Sequence, residues 1–334
     1  MRVLADRHHA DLYESLTVLF VDRLGGELFT PVGHEWWDEG YWRFGEVFGD
    51  DRLARQYLVV NDTWREVEPG LFLTFDQHHP ARPLYGVTLA LARQMKWDFA
   101  CATVQENQDG LARFAKEQGA KYLLQVGNTN QRIDWSLDPL VLNASEMPIL
   151  GRGVAIGQEF DHRGIFRYRE PVETRRVASF VNLLPLIPPS WTPFEALREQ
   201  LPDFRFRSFG HECPDGLLKP VAAIADEMSR TGWAYHDKMT GDGFGHIIHN
   251  WAAIGRPLIG HASYYGGQKA EPFWQDGVTC IDLDRHSLRE AAEIMRSTTP
   301  DKHRQMCEAM RSTFDAIVDF EADAEAVRAL LLDD

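Results

Sequence analysis

The sequence predicts an α/β protein with two domains, and three observations support that prediction. Short apolar runs alternate with amphipathic helical patterns along nearly the whole chain, which is typical of layered α/β folds. The alternation occurs as two successive series, and a polar, arginine-rich segment at residues 157–176 separates them. The length of 334 residues also favours two domains, because a domain usually contains about 100–200 residues.

The first series occupies the amino-terminal half of the chain. Apolar runs predict strands at 3–5, 71–75, 99–103 and 121–126, and helical spacing predicts helices at 11–24, 84–95 and 107–118. The tryptophan-rich stretch 36–64 fits neither period, so we predict loops and short helices there.

The second series follows the arginine-rich segment. It predicts strands at 177–182, 204–209, 233–236, 257–260 and 279–283, helices at 194–201, 221–229 and 302–332, and a proline-rich loop at 184–191. Two such series predict two Rossmann-like domains that face each other across a cleft. The predicted divisions are a first domain, 1–160, a segment between domains, 161–176, a second domain, 177–300, and carboxy-terminal helices, 301–334, that could return to the first domain.

Charge and cysteine content narrow the possible functions. The net charge of −15 argues against a broad surface for nucleic acid or anionic membrane, although it allows a local basic groove. The four cysteines lie far apart without a CxxC pair, which favours reduced thiols over a zinc site or disulfides. The amino terminus does not resemble a signal peptide, and no apolar run reaches the ~20 residues of a membrane span. We therefore expect a cytoplasmic protein.

A glycine-rich loop runs into a helix in the second series. Gly241, Gly243 and Gly245 let the backbone approach a ligand closely, because glycine has no Cβ and adopts positive φ at little cost. The helix that follows directs its free N–H groups and the positive end of its dipole to the loop, which suits a phosphate. A tight turn without a ligand is the alternative.

The residues of this loop and helix resemble a signature of retaining, group 1 glycosyltransferases of the GT-B fold. The chain has Asp242-Gly243-Phe244-Gly245, then Asn250, then Gly255-Arg256-Pro257, and a second glycine turn at 265–267. The family pattern is Glu-Gly-Phe-Gly, a second glutamate further into the helix, and a closing Gly-x-Pro. The resemblance covers residues 177–300 and implies the GT-B fold, whereas the amino-terminal half carries no matching motif.

The resemblance implies how this region contacts a nucleotide-sugar donor. Asp242 stands where the family's first glutamate holds sugar hydroxyls, and Asn250 where the second glutamate holds the ribose. Both residues depart from the pattern, because aspartate is shorter and asparagine bonds a ribose diol without contributing charge. The other residues expected at the donor are Gly243, Phe244, Gly245, His246, Tyr265 and Gly266.

Positive charge for a leaving diphosphate is expected from two lysines. The family's basic pair after the first strand of this domain is missing, since residues 182–191 contain no lysine or arginine. A leaving diphosphate needs positive charge or aligned donors. Lys238 precedes the glycine-rich loop and Lys269 follows the second glycine turn. We therefore predict Lys238 as a catalytic residue beside Asp242, and Lys269 as a donor contact.

Simpler explanations exist for several of these residues. Asp242 could be only a turn residue. His246 and His249 share a helix face, like a pair of metal ligands, but no third ligand is in register, so we predict no metal. We expect His249 and Trp251 to pack between helix and sheet, and the Asp-Leu-Asp run at 282–284 to be a chance match.

The loop after the first predicted strand contains His8 and His9. In the GT-B fold this loop borders the cleft, and inverting members can place a catalytic base there. Histidine suits that role because its intrinsic pKa lies near 6.5. Three roles stay open for these two residues: a base, an acceptor or phosphate contact, or a helix-entry residue. We predict His9 as the candidate base and His8 as an acceptor contact.

The arginine-rich segment allows two interpretations. Its arginines alternate with glutamates, which favours a solvated linker with local ion pairs. Alternatively, Arg167 and Arg169 belong to a basic rim that contacts a phosphate-bearing acceptor, and nearby aromatic residues stack on its bases. The acceptor would then be DNA with a hydroxymethylated base.

Together these observations predict a glycosyltransferase that moves a sugar from a nucleotide-diphosphate sugar to a hydroxyl acceptor. The resemblance favours a retaining mechanism without a metal or any cofactor other than the donor as co-substrate. The acceptor is either a small molecule or modified DNA. Two alternatives are a nucleotide-sugar epimerase of the same fold and a non-catalytic nucleotide-sugar-binding protein, the latter favoured by the change of the acidic pair to Asp242 and Asn250.

Overall fold

A computed structural model describes residues 1–8, 10–43, 58–60, 63–76, 78–159, 164–239 and 241–332. The chain divides into two compact units. The first contains Met1–Phe160 together with Phe320–Asp334, and the second contains Asp161–Asp319. None of the described helices combines the length and the apolar composition needed to span a bilayer.

The described part of the first unit is built on a nine-stranded sheet of order β3-β4-β5-β2-β1-β6-β7-β8-β9. The strands are β1 Arg2–Ala5, β2 Glu27–Pro31, β3 Arg65–Glu68, β4 Leu71–Phe75, β5 Pro83–Val87, β6 Phe99–Ala102, β7 Lys121–Val126, β8 Leu140–Asn143 and β9 Gly153–Ala155. All neighbours pair in parallel except β3 with β4 and β4 with β5. Strands β6 and β8, each of which lies between two neighbours, are buried throughout, as expected when helices cover both faces of a parallel sheet.

Four helices of the first unit lie before residue 160 in the described chain. They are α1 Ala10–Thr17, which continues as a π-helix at Val18–Arg23, α2 Glu35–Asp38, α3 Leu89–Ala92 and α4 Gln108–Gln118. Trp36 and Trp97 pack edge-on or tilted against Phe114 of α4, and all three side chains are buried. This aromatic cluster fills the layer between α4 and the sheet.

The second unit has a five-stranded, fully parallel sheet of order β11-β10-β12-β13-β14 in its described residues. The strands are β10 Glu173–Ser179, β11 Arg205–Ser208, β12 Thr231–Tyr235, β13 Leu258–Gly260 and β14 Cys280–Asp282. The helices are α5 Pro188–Gln200, α6 Val221–Arg230, α7 His246–Ile254, α8 Leu288–Ser297 and α9 Pro300–Ile317. The chain passes from β10 to β11 on one side and then to β12 on the other, so the strand order reverses beside β10.

The last helix, α10 at Phe320–Leu332, belongs to the first unit. Its Asp323 accepts a hydrogen bond from the backbone N–H of Gly157 at 2.6 Å. Arg23 at the end of the π-helix pairs with Glu321 of α10 and also with Glu159. A backbone amide and a shared arginine therefore fix α10 to the body of the first unit.

Most of the predicted elements are confirmed, but three predictions are wrong. The predicted loop 184–191 already contains the start of α5 at Pro188. The helix predicted at 302–332 is two helices, α9 and α10, which belong to different units. The helix predicted at 84–95 is wrong as well. Pro83–Val87 forms β5 between β2 and β4, and the helix that follows covers only Leu89–Ala92. At Gly86 a Cβ atom would lie 2.5 Å from Cγ1 of Val32. Pairing with two neighbouring strands outweighs the local helical spacing. The sequence also did not indicate β2, β3, β8, β9 and α8, and β10 begins inside the arginine-rich segment.

Arg256 is buried in the second unit, and its guanidinium donates to four backbone carbonyls. It bonds the oxygens of Ile254 and Gly255 at 3.1 and 3.2 Å. It also bonds those of Arg169 and Ser229 at 2.6 and 2.8 Å. These carbonyls come from the ends of α6 and α7 and from the arginine-rich segment. Helix carboxy termini stabilise a cation, while burial lowers the pKa of the Arg256 guanidinium.

Replacing Arg256 by methionine should destabilise the second unit. Arg256→Met keeps a long side chain but leaves buried carbonyl groups without a donor, and bonds to a charged group contribute about 1.5–3 kcal/mol each. We expect the free energy of unfolding in urea to fall by about 3 kcal/mol or more. Arg285→Met is the control, because the Arg285 side chain is 70% exposed. Equal stability of the two variants would contradict this role.

Candidate functional site

The glycine-rich loop lies between β12 and α7, at the carboxyl end of a strand. It leaves the sheet next to β10, where the strand order reverses, and ligands of open α/β sheets bind at such a switch point. Gly241, Gly243 and Gly245 have φ values of 66°, 64° and 75°, all in the left-handed region. Gly245 directly precedes the first residue of α7. The loop therefore has the backbone path that glycine favours, in the place where a ligand is expected.

Asp242 is held by two basic side chains from the segment just before it. Nε2 of His236 lies 2.6 Å from one carboxylate oxygen, and the ammonium of Lys238 contacts the other. Burial acts to raise the pKa of this carboxyl, but Lys238 and His236 together hold it well below its usual range. Asp242 is thus an ionised, largely buried group that organises the loop, which is more than a turn residue does.

Gln268 reaches the same loop from the second glycine turn. Its Oε1 accepts hydrogen bonds from the backbone N–H groups of Asp242 and Gly243, at 3.0 and 3.1 Å. Its Nε2 donates to the carbonyl of Tyr264 at 2.8 Å. Two N–H groups predicted to face a ligand therefore meet one side-chain oxygen.

Helix α7 packs into the unit through aromatic contacts. The ring of His249 stacks on Phe244, with centroids 3.8 Å apart, and its Nδ1 lies 3.0 Å from the carbonyl of Gly245. Burial lowers the pKa of His249 to about 3, so this ring is neutral. Trp251 is fully buried. His246 packs edge-on against Phe244, and no group of three or more potential metal ligands occurs among the described residues.

The remaining predicted donor residues lie in different environments. Asn250 is 2% exposed, and its Oδ1 has no hydrogen-bond partner among the described residues. Tyr265 is buried, stacks on Trp274 and accepts a hydrogen bond from the backbone N–H of Lys238 at 3.1 Å. The hydroxyl of Tyr265 therefore holds the backbone of Lys238, just before the loop. Gly266 and Lys269 lie on the surface turn beside Gln268.

A second polar cluster lies in the first unit, after β1 and β6. The buried carboxylate of Asp6 accepts hydrogen bonds from the backbone N–H of Thr103 and from Nδ2 of Asn107, both at 2.6 Å. Nδ1 of His8 lies 2.8 Å from Oγ1 of Thr103. Thr103 thus stands between Asp6 and His8, which orients the His8 ring. His9, the predicted base, lies outside the described residues.

Several arginines of the arginine-rich segment make contacts within the second unit. Arg169 pairs with Asp226 at 3.3 Å and Arg175 with Asp203 at 2.9 Å. Arg167 donates to the carbonyl of Gly164. Phe166 is fully buried, so its ring is not available to stack on a base. These ion pairs argue against a free basic rim. The linker interpretation is not confirmed either, because the acidic partners Asp226 and Asp203 belong to the second unit and β10 begins inside the segment. The acceptor contacts predicted for Arg167 and Arg169 stay predictions.

Sequence reasoning missed four polar residues: His236, Gln268, Asp6 and Thr103. Asp6 stands just after a predicted strand, and His236 and Thr103 are the last residues of two others, so a search of every strand end for polar side chains would have found them. Gln268 and Thr103 bond to residues distant in sequence. Only the fold brings those partners together.

Stability should depend on pH through Asp6. Burial raises the pKa of Asp6 to about 6, although the bonds from Thr103 and Asn107 oppose the shift. Asp6 therefore contributes stability in full below its unfolded-state pKa near 4, and this is lost as the pH rises through about 6. Between pH 4 and pH 7 the unfolding free energy of the parent should fall by about 2 kcal/mol more than that of Asp6→Asn. Urea unfolding at several pH values measures this, and parallel pH profiles would contradict it.

Comparison with known proteins gives matches to solved structures only. The chain matches no protein-family model and no curated protein sequence. It resembles HepE of Anabaena in complex with UDP and glucose, with 13% identity, a TM-score of 0.60 and 99% of each chain covered. It also resembles a glycosyltransferase from Rickettsia africae, with 11% identity, a TM-score of 0.59 and 99% and 97% of the two chains covered.

A third similar structure is an alpha-glucosyltransferase in complex with UDP and a 13-mer DNA containing an HMU base. It has 8% identity, a TM-score of 0.63 and full coverage of both chains. The likeness to each structure extends over essentially the whole chain, and it agrees with the two predominantly parallel sheets. The chain therefore has the GT-B fold, with two Rossmann-like domains.

Proposed function

We propose that this protein transfers a sugar from a nucleoside diphosphate sugar to a hydroxyl acceptor. The observation that carries the proposal is the loop 241–245, where successive backbone N–H groups converge on one acceptor oxygen at the switch point of a parallel sheet. Such a concave set of N–H groups binds phosphate oxygens. Structures with UDP bound, HepE and the alpha-glucosyltransferase among them, share the fold.

In this proposal, different residues of the loop and of α7 bind different parts of the donor. The backbone N–H groups of the loop hold the diphosphate. Asn250 offers its buried, unpartnered Oδ1 to a ribose hydroxyl. Asp242 is ionised and accepts from sugar hydroxyls with the lone pairs that His236 and Lys238 leave available, since a carboxylate has about four such sites.

Sugar transfer breaks the bond between the anomeric carbon and the diphosphate oxygen and forms a bond from that carbon to the acceptor oxygen. Negative charge develops on the leaving diphosphate, and aligned N–H groups with a nearby ammonium stabilise it. Lys238 supplies the ammonium, and Asp242 holds it in place. The acceptor proton goes to the leaving phosphate in a retaining enzyme, or to a base such as His8 or His9 in an inverting one.

The acceptor that the described residues support best is a small, neutral molecule. The net charge of −15 repels a polyanion, and the ion pairs of Arg169 and Arg175 neutralise much of the arginine-rich segment. DNA with a hydroxymethylated base is the second candidate, because the similar alpha-glucosyltransferase was solved with DNA containing an HMU base. A gel shift with duplex DNA carrying such a base separates the two acceptors.

The direct test is turnover of a panel of nucleoside diphosphate sugars. We expect hydrolysis of at least one donor in the absence of acceptor and a thermal shift with its nucleoside diphosphate. Conversion of the nucleotide sugar to an isomer would instead identify an epimerase. Tight binding without turnover would identify a non-catalytic binding protein. Neither binding nor turnover of any donor would refute the proposal.

Asn250→Ala should weaken the binding of UDP about tenfold, because it removes one hydrogen bond to the ribose worth about 1–1.5 kcal/mol. Inorganic pyrophosphate lacks a ribose, so its affinity should not change. Isothermal titration with both ligands measures this difference. Asn250→Asp keeps an acceptor oxygen and is the matched control, expected to retain UDP binding. Equal losses for UDP and pyrophosphate would show that Asn250 only supports the loop.

Lys238→Ala should lower kcat on the order of 10²-fold while changing the KM of the donor far less. The reason is that the Lys238 charge acts mainly on the diphosphate as it leaves. Steady-state kinetics of donor hydrolysis separate the two parameters. Lys302→Ala is the control, since Lys302 lies in the same unit and its exposed ammonium donates to the carbonyl of Gly277, away from the glycine-rich loop. If kcat falls less than about threefold, Lys238 does not stabilise the leaving diphosphate, and Lys269 becomes the candidate for that role.

A further inference from the structure

The side chain of Gln268 occupies the position where the glycine-rich loop would hold an anion. Both ends of its amide are engaged: Oε1 accepts from the N–H groups of Asp242 and Gly243, and Nε2 donates to Tyr264. This pattern fixes which end of the amide faces the loop, because an N–H group cannot donate to Nε2. One neutral oxygen therefore satisfies two consecutive backbone donors.

Because Gly241 has no side chain, it leaves room for Gln268. A Cβ at Gly241 would lie 2.1 Å from Nε2 and 2.7 Å from Oε1 of Gln268, and 2.7 Å from the carbonyl of Tyr264. The side chain of Gln268 thus packs directly against the backbone of Gly241. The sequence predicts that a ligand approaches Gly241 closely, whereas in the structure Gln268 makes this close approach. By contrast, a Cβ at Gly245 would meet its nearest atoms at 3.5 Å.

A phosphate oxygen is a stronger partner for these N–H groups than an amide oxygen. Hydrogen bonds to an ionised acceptor are roughly twice as strong as those between neutral groups. Gln268 is joined to the loop through its side chain, and it follows a turn that contains Gly267 in the left-handed region. A rotation of the Gln268 side chain therefore clears the loop without moving a strand or helix.

We propose that Gln268 is a residue that sets donor affinity: its amide oxygen stands in for a diphosphate oxygen, and a nucleoside diphosphate displaces it on binding. This inference rests on the proposed function of the same loop. The donor must break two hydrogen bonds of the protein before it makes its own, so Gln268 weakens donor binding and protects the loop when no donor is present.

Isothermal titration of the full chain with UDP and with inorganic pyrophosphate tests the proposal. Gln268→Ala removes the competing oxygen and should bind both ligands about 3- to 10-fold more tightly. Gln268→Glu places a carboxylate on the same N–H groups and should bind both at least threefold more weakly, since it also repels the diphosphate. Gln275→Ala is the matched control, because Gln275 is exposed and its side-chain amide donates to the carbonyl of Pro272.

Amide hydrogen exchange gives a second readout that does not depend on affinity. Without ligand, the amides of Asp242 and Gly243 should be protected in the parent and exchange faster in Gln268→Ala, and UDP should restore the protection. A melting temperature of Gln268→Ala equal to that of the parent shows that the variant is folded.

The outcomes distinguish this inference from the proposed function. Equal or weaker UDP binding by Gln268→Ala, with the parent also binding, overturns the role of Gln268 and leaves the proposed function standing. If neither protein binds UDP or any other nucleoside diphosphate, the proposed function fails. In that case, amide exchange that is slower in the parent than in Gln268→Ala shows only that Gln268 hydrogen-bonds to the loop. The displacement of Gln268 by a nucleoside diphosphate is then refuted as well.

Discussion

A largely buried carboxylate at Asp242 constrains the whole loop. An ionised carboxyl removed from water must be compensated by opposite charge or hydrogen bonds. Both compensating groups, His236 and Lys238, come from the few residues between β12 and the loop. The chain turns back on them through two left-handed residues, Gly241 and Gly243. That turn determines where α7 starts and which way the loop amides point. It also leaves the space that Gln268 occupies.

The loop and α7 could be predicted because their signals are local. Glycines with positive φ, the helical period of α7 and the closing Gly255 are each determined within a few residues. The partners of the loop could not be predicted in the same way. Gln268 lies 26 residues from Asp242 along the chain, and nothing in the local sequence indicates which backbone groups its amide meets.

The error at 84–95 has a related cause. The residues after Thr88 do form a short helix, and Thr88 caps it by accepting from the N–H of Leu91. The residues before Thr88 have a helical spacing too, but β2 and β4 lie on either side of them and fix them as a strand. Strand pairing is a long-range interaction, so a local pattern does not report it. For the same reason, the sequence predicts that His8 lies on a loop but does not show that its ring contacts Thr103, which in turn bonds Asp6.

The position of α10 determines the order in which the two units can be completed. The chain leaves the first unit at residue 160 and returns to it at residue 320, so the second unit is an insertion within the first. A ribosome produces every strand and helix of the inserted unit before it produces α10. Until then the amide of Gly157 lacks its partner Asp323, and Arg23 lacks Glu321. The unit that contains the amino terminus is therefore the last to acquire all of its structure.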